Sequence, residues 1–173
     1  MCAIVLFLHR IMNGIGKRIL FVCLGNICRS PGAEAVLKKM AADRNLTIPL
    51  GIDSAGTGGW HTGEPADERM QEHALRRGYA LTHLARKFNP DVDFDRFDLI
   101  IGMDDENIRR LKSLARNEND RKKIRRMTDF SRLFSYTSVP DPYYGGEEGF
   151  ELVLDLLEDA CEGLLDKLET GEL

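Results

Sequence analysis

Two cysteines stand five positions apart in the stretch Val22-Cys23-Leu24-Gly25-Asn26-Ile27-Cys28-Arg29-Ser30-Pro31, and an arginine follows the second directly. Such a thiol pair can bind metal, form a disulfide, or supply one nucleophile with a companion. A structural zinc site needs about four Cys or His ligands, and no second Cys/His pair stands at matching spacing. A thioredoxin-type centre has two residues between its cysteines, whereas four intervene here. A Walker A loop needs Lys followed by Ser or Thr, which this stretch lacks. Against the plain alternative of two buried core cysteines, the context favours an anion cradle. Gly25 lets a loop curl closely, and Asn26 tolerates the left-handed backbone such a loop can need. Arg29 offers a planar fork that matches two phosphate oxygens. The field that holds a phosphate dianion also stabilises a thiolate, so Cys23 stands ready for in-line attack on phosphorus. Ser30 can donate a hydrogen bond to that sulfur.

A cradle of this kind belongs in the loop from a strand into a helix, where N–H groups and the helix dipole converge. The sequence supplies both elements. Residues 18–23 (RILFVC) form a short apolar run, as a buried strand does, and residues 30–44 show helical spacing with Ser30 as cap and Pro31 in the first turn. Further along, IPLGIDSAGT reads as strand then loop, ADERMQEHALRRGY as a helix stopped by Gly78, and FDLIIGMD (97–104) as a second buried strand. DENIRRLKSLA reads as a helix, KIRRMTDF as a last strand, and residues 150–169 as an amphipathic helix with nine apolar positions on one face. Alternating strands and helices predict a three-layer α/β fold: an open parallel sheet of about four strands, helices on both faces, and the phosphate loop between the first strand and the first helix. Such sheets bind ligands beyond the carboxyl ends of their strands. No internal repeat or linker interrupts the pattern.

Composition narrows the partners. The net charge of −4 gives no general attraction for nucleic acid or an acidic membrane, so any anion must be held locally. Four cysteines (Cys2, Cys23, Cys28, Cys161) are too few and scattered for a secreted disulfide scaffold, which points to a reducing cytoplasm. The apolar run at residues 3–8 is followed, not preceded, by His9 and Arg10, unlike a signal peptide, and no run reaches a membrane span of about 20 residues. Met12 could be the start, so residues 1–16 read as an extension and residues 17–173 as one domain.

The stretch from Val22 to Pro31 resembles, residue for residue, the signature loop of the low-molecular-weight protein tyrosine phosphatases. The similarity runs from about Lys17 to the C-terminal helix. It includes DSAGTGGWHTGEPAD, then THLAR and MDDEN in the family's order, and DPYYG at 141–145, which is similar to its acid loop. The resemblance implies Cys23 as nucleophile and Arg29, with Leu24, Gly25, Asn26, Ile27, Cys28 and Ser30, as the phosphate site. It implies Asp141 as general acid, then base, although an isolated Asp-Pro would otherwise read as a turn. Asn26, Ser54 and His83 would form a supporting hydrogen-bond network. Trp60 and Tyr143 would wall a phenyl ring; Tyr144 is either a further wall or simply exposed. Cys28 is either a reversible disulfide partner that protects Cys23 or a small buried side chain. No cofactor or metal is implied, and the partner is a phosphotyrosine-containing protein, a tyrosine kinase among the candidates.

Three alternatives share the loop. Arsenate reductases of this architecture need a resolving cysteine pair in mid-chain, and no cysteine lies between residues 29 and 160. Protein-arginine phosphatases typically carry Thr where Ile27 stands. A non-catalytic phosphate-binding module would be expected to lose Cys23 or Asp141, and both are present. Elsewhere Cys161 reads as core and Cys2 as incidental. His9 and His73 lack a motif, and RKKIRR (121–126) reads as a solvated face and strand edge.

Overall fold

The computed structural model describes residues 16–173; the expected N-terminal extension lies, but for Gly16, outside the described residues. Strand β1 (Lys17–Cys23) is the sequence's clearest apolar run, and its last five residues are buried. Alternation sends Ile19, Phe21 and Cys23 into one core and Leu20 and Val22 into another. A strand apolar on both faces belongs inside a sheet covered on both sides. Accordingly β1 pairs in parallel with β2 (Leu50–Gly56) and with β3 (Leu99–Gly102), and β3 pairs with β4 (Ile124–Arg126). The order β2-β1-β3-β4 makes a four-strand parallel sheet with β1 central.

The helices cover the two faces as the strand alternation requires. Helices α1 (Arg29–Asp43), α2 (Glu68–Arg76) and α6 (Glu147–Glu169) supply Val36, Leu37, Met70, Ala74, Val153 and Leu157 to the first core. Helices α3 (Pro90–Arg96) and α4 (Asp105–Leu114) supply Phe94, Ile108 and Leu111 to the second. A short α5 (Glu118–Lys122) precedes β4. All nine apolar positions expected on the last helix are buried, Cys161 among them. Gly78 sits at φ 86 just beyond α2, as a helix-stopping glycine should. No helix among the described residues is long and apolar enough to cross a membrane.

Two local expectations need correction. Helix α1 begins at Arg29, with Cys28 at the cap position and no side-chain cap bond. Ser30 is therefore inside the first turn rather than capping it, because its hydroxyl is engaged by Cys23 and Asn26. The last strand, expected over KIRRMTDF, covers only Ile124–Arg126; Met127–Phe130 form a 3-10 turn that buries Met127 and Phe130.

Candidate active site

Cys23 ends the central strand and Arg29 opens α1, so the connecting loop lies at the carboxyl edge of the sheet. Four of its carbonyls are tied outward. Cys23 O accepts from Thr57 N–H at 2.9 Å, Leu24 O from Gly58 N–H at 2.9 Å, Ile27 O from Asp67 N–H at 2.9 Å and Cys28 O from Gly32 N–H at 3.1 Å. With the carbonyls so held, the backbone N–H groups of residues 25–29 find no acceptor among the described residues. Unpaired donors gathered at a helix start suit an anion. Asn26 takes the left-handed conformation expected of it, at φ 57.

A directional chain of hydrogen bonds fixes the loop from behind. The Asn26 amide donates to Ser30 Oγ and Ser54 Oγ, both at 2.9 Å, and Ser54 Oγ donates to Glu34 at 2.6 Å. Ser30 Oγ stands 3.0 Å from Cys23 Sγ and 3.3 Å from Ala55 O. Since Asn26 Oδ1 can only accept, His83 Nε2 donates to it at 3.0 Å, as does Arg86 N–H at 2.8 Å. The expected trio of Asn26, Ser54 and His83 is thus brought together, and Glu34 joins it unforeseen. Glu34, Asp53 and His83 lie close enough to share a cation, yet Lys38 and Ser54 engage Glu34, Arg86 engages Asp53, and Asn26 engages His83.

Among the described residues Arg29 is the largest fully buried side chain. Its Nη1 donates to Asp104 at 2.6 Å and to Val139 O at 3.1 Å, and its Nη2 donates to Asp141 at 2.9 Å. Burial opposes its charge, but the Cys23 sulfur, Asp141 and Asp104 outweigh that and hold its pKa above the ordinary value. Cys28 lies in the opposite environment: burial first, then Asp67 and Cys23, push its thiol well up. Val139 N–H donates to Met103 O at 2.8 Å, anchoring the segment before Asp141 to the end of β3.

These groups line a cleft of about 310 Å³. Cys23, Leu24, Gly25, Ile27, Cys28, Arg29, Asp141, Trp60, Tyr143, Tyr144 and His61 form its walls. Trp60 is 72% exposed and Tyr144 93% exposed, so both stand at the rim. Asn26 and Ser30 support the loop rather than line the cleft.

Sequence reasoning missed Asp104 and His61 as site residues. Asp104 stands inside MDDEN, where it reads as a helix cap, and it is one: its other oxygen accepts from Asn107 N–H at 2.7 Å. His61 follows Trp60 and pairs through Nδ1 with Glu64 at 2.6 Å. Its ring comes within 3.2 Å of where a side chain on Gly25 would begin, so a larger residue there would press on it.

A parallel α/β sheet whose first strand–helix loop presents a thiol, a buried guanidinium and unpaired amides to one cleft defines a phosphate-handling protein built around a cysteine. The model of the low molecular weight phosphotyrosine protein phosphatase family matches residues 18–172, and the chain belongs to that family. A low molecular weight protein-tyrosine-phosphatase of Streptomyces coelicolor is 45% identical over 150 residues, covering 86% of this chain and 91% of the relative. A protein tyrosine phosphatase crystal structure from Entamoeba histolytica superposes with a TM-score of 0.87 at 48% identity, over 91% of this chain and 100% of that one. A Drosophila arginine phosphatase superposes with a TM-score of 0.78 at 32% identity, over 86% and 95%.

Proposed function

We propose that residues 17–173 form a phosphatase domain that hydrolyses phosphotyrosine in proteins through a cysteinyl-phosphate intermediate. One observation carries the reading: Cys23 Sγ, with Ser30 Oγ at 3.0 Å, shares its cleft with Arg29 and Asp141. In the first step the Cys23 thiolate attacks phosphorus as the P–O bond to the tyrosine breaks, and Asp141 gives its proton to the leaving phenolate. In the second, Asp141 takes a proton from water, whose oxygen attacks phosphorus and expels the Cys23 sulfur, with Ser30 donating to it. Arg29 and the loop amides stabilise the equatorial oxygens throughout. Trp60 and Tyr143 flank the phenyl ring, and the depth they add disfavours a shorter phosphoserine.

The substrate is a phosphoprotein, and a tyrosine kinase is a fitting target. The free thiols of Cys23, Cys28 and Cys161 suit a reducing, cytoplasmic setting, where Cys28 is the companion for a reversible disulfide on Cys23. A second reading, phosphoarginine hydrolysis, draws on the Drosophila relative; Ile27, which lines the cleft, crowds a guanidinium-linked phosphate and disfavours it.

The test is hydrolysis of p-nitrophenyl phosphate in mildly acidic, reducing buffer with a chelator, followed by phosphotyrosine and phosphoarginine peptides. Turnover is expected for the wild type and lost in Cys23→Ser, which should still bind phosphate analogues. An inactive reduced wild type would leave only a phosphate-binding module. Preference for phosphoarginine would favour the second reading.

A further inference from the structure

The segment that carries Asp141 lies outside regular helix and strand. Val139 fastens its start to β3, while Tyr143 N–H to Asp141 at 3.1 Å and Gly145 N–H to Pro142 O at 3.0 Å are bonds within the loop itself. The direct link from acid to cradle is Arg29 Nη2 to Asp141 at 2.9 Å. To protonate a leaving oxygen Asp141 must itself carry a proton, so it gives up its charge pairing with Arg29 at that step, and another group must then keep the loop in place.

Arg69, on α2, is built for that. Its Nη2 donates to the Tyr143 carbonyl at 3.1 Å. Its guanidinium carbon lies 5.5 Å from the Tyr143 ring centre and 4.9 Å from that of Phe150 on α6, so the charge bridges a loop aromatic and a core aromatic. Its Nε and Nη2 also fork onto Asp67 at 3.1 and 2.8 Å. Asp67 N–H in turn donates to Ile27 O of the cradle at 2.9 Å. The path Ile27–Asp67–Arg69–Tyr143–Asp141 therefore joins cradle to acid without passing through Arg29. We propose that Arg69 is a positioning residue that keeps Asp141 aimed at the leaving oxygen once its ion pair with Arg29 is given up. The proposal rests on the reading of Asp141 as general acid. A lysine would supply the charge but not a plane that faces two rings while forking onto a carboxylate.

The experiment compares kcat and KM for p-nitrophenyl phosphate, a good leaving group, with those for phenyl phosphate, a poor one. The wild type, Asp141→Ala, Arg69→Ala, Arg69→Lys and Phe150→Leu are measured, with the inhibition constant of phosphate as a check on the cradle. Asp141→Ala is expected to lose about 100-fold or more in kcat on phenyl phosphate and far less on the nitrophenyl ester. Arg69→Ala is expected to show the same bias at smaller size, about 10-fold on phenyl phosphate, with phosphate inhibition unchanged. Arg69→Lys should stay close to Arg69→Ala. Equal losses on both esters, or full recovery with lysine, would overturn the proposal. If Asp141→Ala itself shows no leaving-group bias, the acid assignment fails, a distinct result from a uniform loss at Arg69. Should Arg69→Ala not fold, Phe150→Leu removes one face of the sandwich and is expected to give a few-fold bias of the same sign; a uniform loss there counts equally against the idea.

Discussion

Arg29 holds Asp104, the Val139 carbonyl and Asp141 at once, and of these three Asp141 alone lines the cleft, beside whatever anion binds there. Its carboxylate therefore repels a phosphate dianion bound beside it. Removing it frees one face of the guanidinium, so Asp141→Ala should bind inorganic phosphate more tightly even as turnover falls. A partly exposed ion pair is worth about 1 kcal/mol, which corresponds to a roughly five-fold lower inhibition constant, read from competitive inhibition of p-nitrophenyl phosphate hydrolysis. The same repulsion weighs ligands by valence: it opposes a dianion about twice as strongly as a monoanion in the same place. At this scale the site was legible where it is local. Cys23 to Ser30 form one continuous run whose side chains explain one another. Asp104 was not legible as an arginine partner, because it lies 75 positions from Arg29 and an aspartate before a helix has a sufficient local explanation.

Two helix caps extend into the site, and each can be separated from its element. Asp104 caps α4 with one oxygen and grips Arg29 with the other. Asparagine caps as well as aspartate does but carries no charge. Asp104→Asn keeps one acceptor for the cap but turns an amide NH2 toward Arg29, so kcat/KM is expected to fall about 10- to 100-fold through a misaimed Arg29 and the melting temperature to fall with it, as kinetics and thermal unfolding on the same sample would show. Asp67 caps α2. Burial alone would raise its carboxyl, but Arg69 and the N–H groups of Met70 and Arg69 hold it below the ordinary 3.8. A carboxyl depressed on folding stabilises fully above its unfolded value and loses that contribution as pH falls through the folded one. Asp67→Ala should therefore cost about 1 kcal/mol at neutral pH. That gap should narrow in urea melts below about pH 4. The long elements were readable from apolar spacing, as β1, α1 and α6 attest. The end of β4 was not: Met127 and Phe130 continue an apolar run in sequence, and only the core beside α6 makes them turn inward.

Across the whole molecule, α6 closes one face of the sheet, and its seating depends on a glycine. A side-chain carbon on Gly163 would fall 2.0 Å from the Phe130 carbonyl, which is backbone and cannot swing aside. Gly163→Ala should lower stability by about 2 kcal/mol and the melting temperature with it, measured by calorimetry, while activity per folded molecule persists. Nothing in the sequence of α6 distinguishes this glycine from a tolerated one, since the clash is made by a segment more than 30 positions away. The fold class, by contrast, followed from alternation of strand and helix alone. The span between Arg29 and its anchors has a further consequence, and it concerns time. Those anchors lie 75, 110 and 112 positions along the chain. Contacts so distant carry the larger loop-closure cost, so they are expected to form after the local helices and the first strand pairings. On the ribosome Cys23 and its loop emerge long before Asp104 and Asp141 exist. The nascent chain thus carries its thiol in an unfinished setting, and turnover is expected only once the segment after β4 has docked. A refolding population will regain its helical signal first and its turnover last.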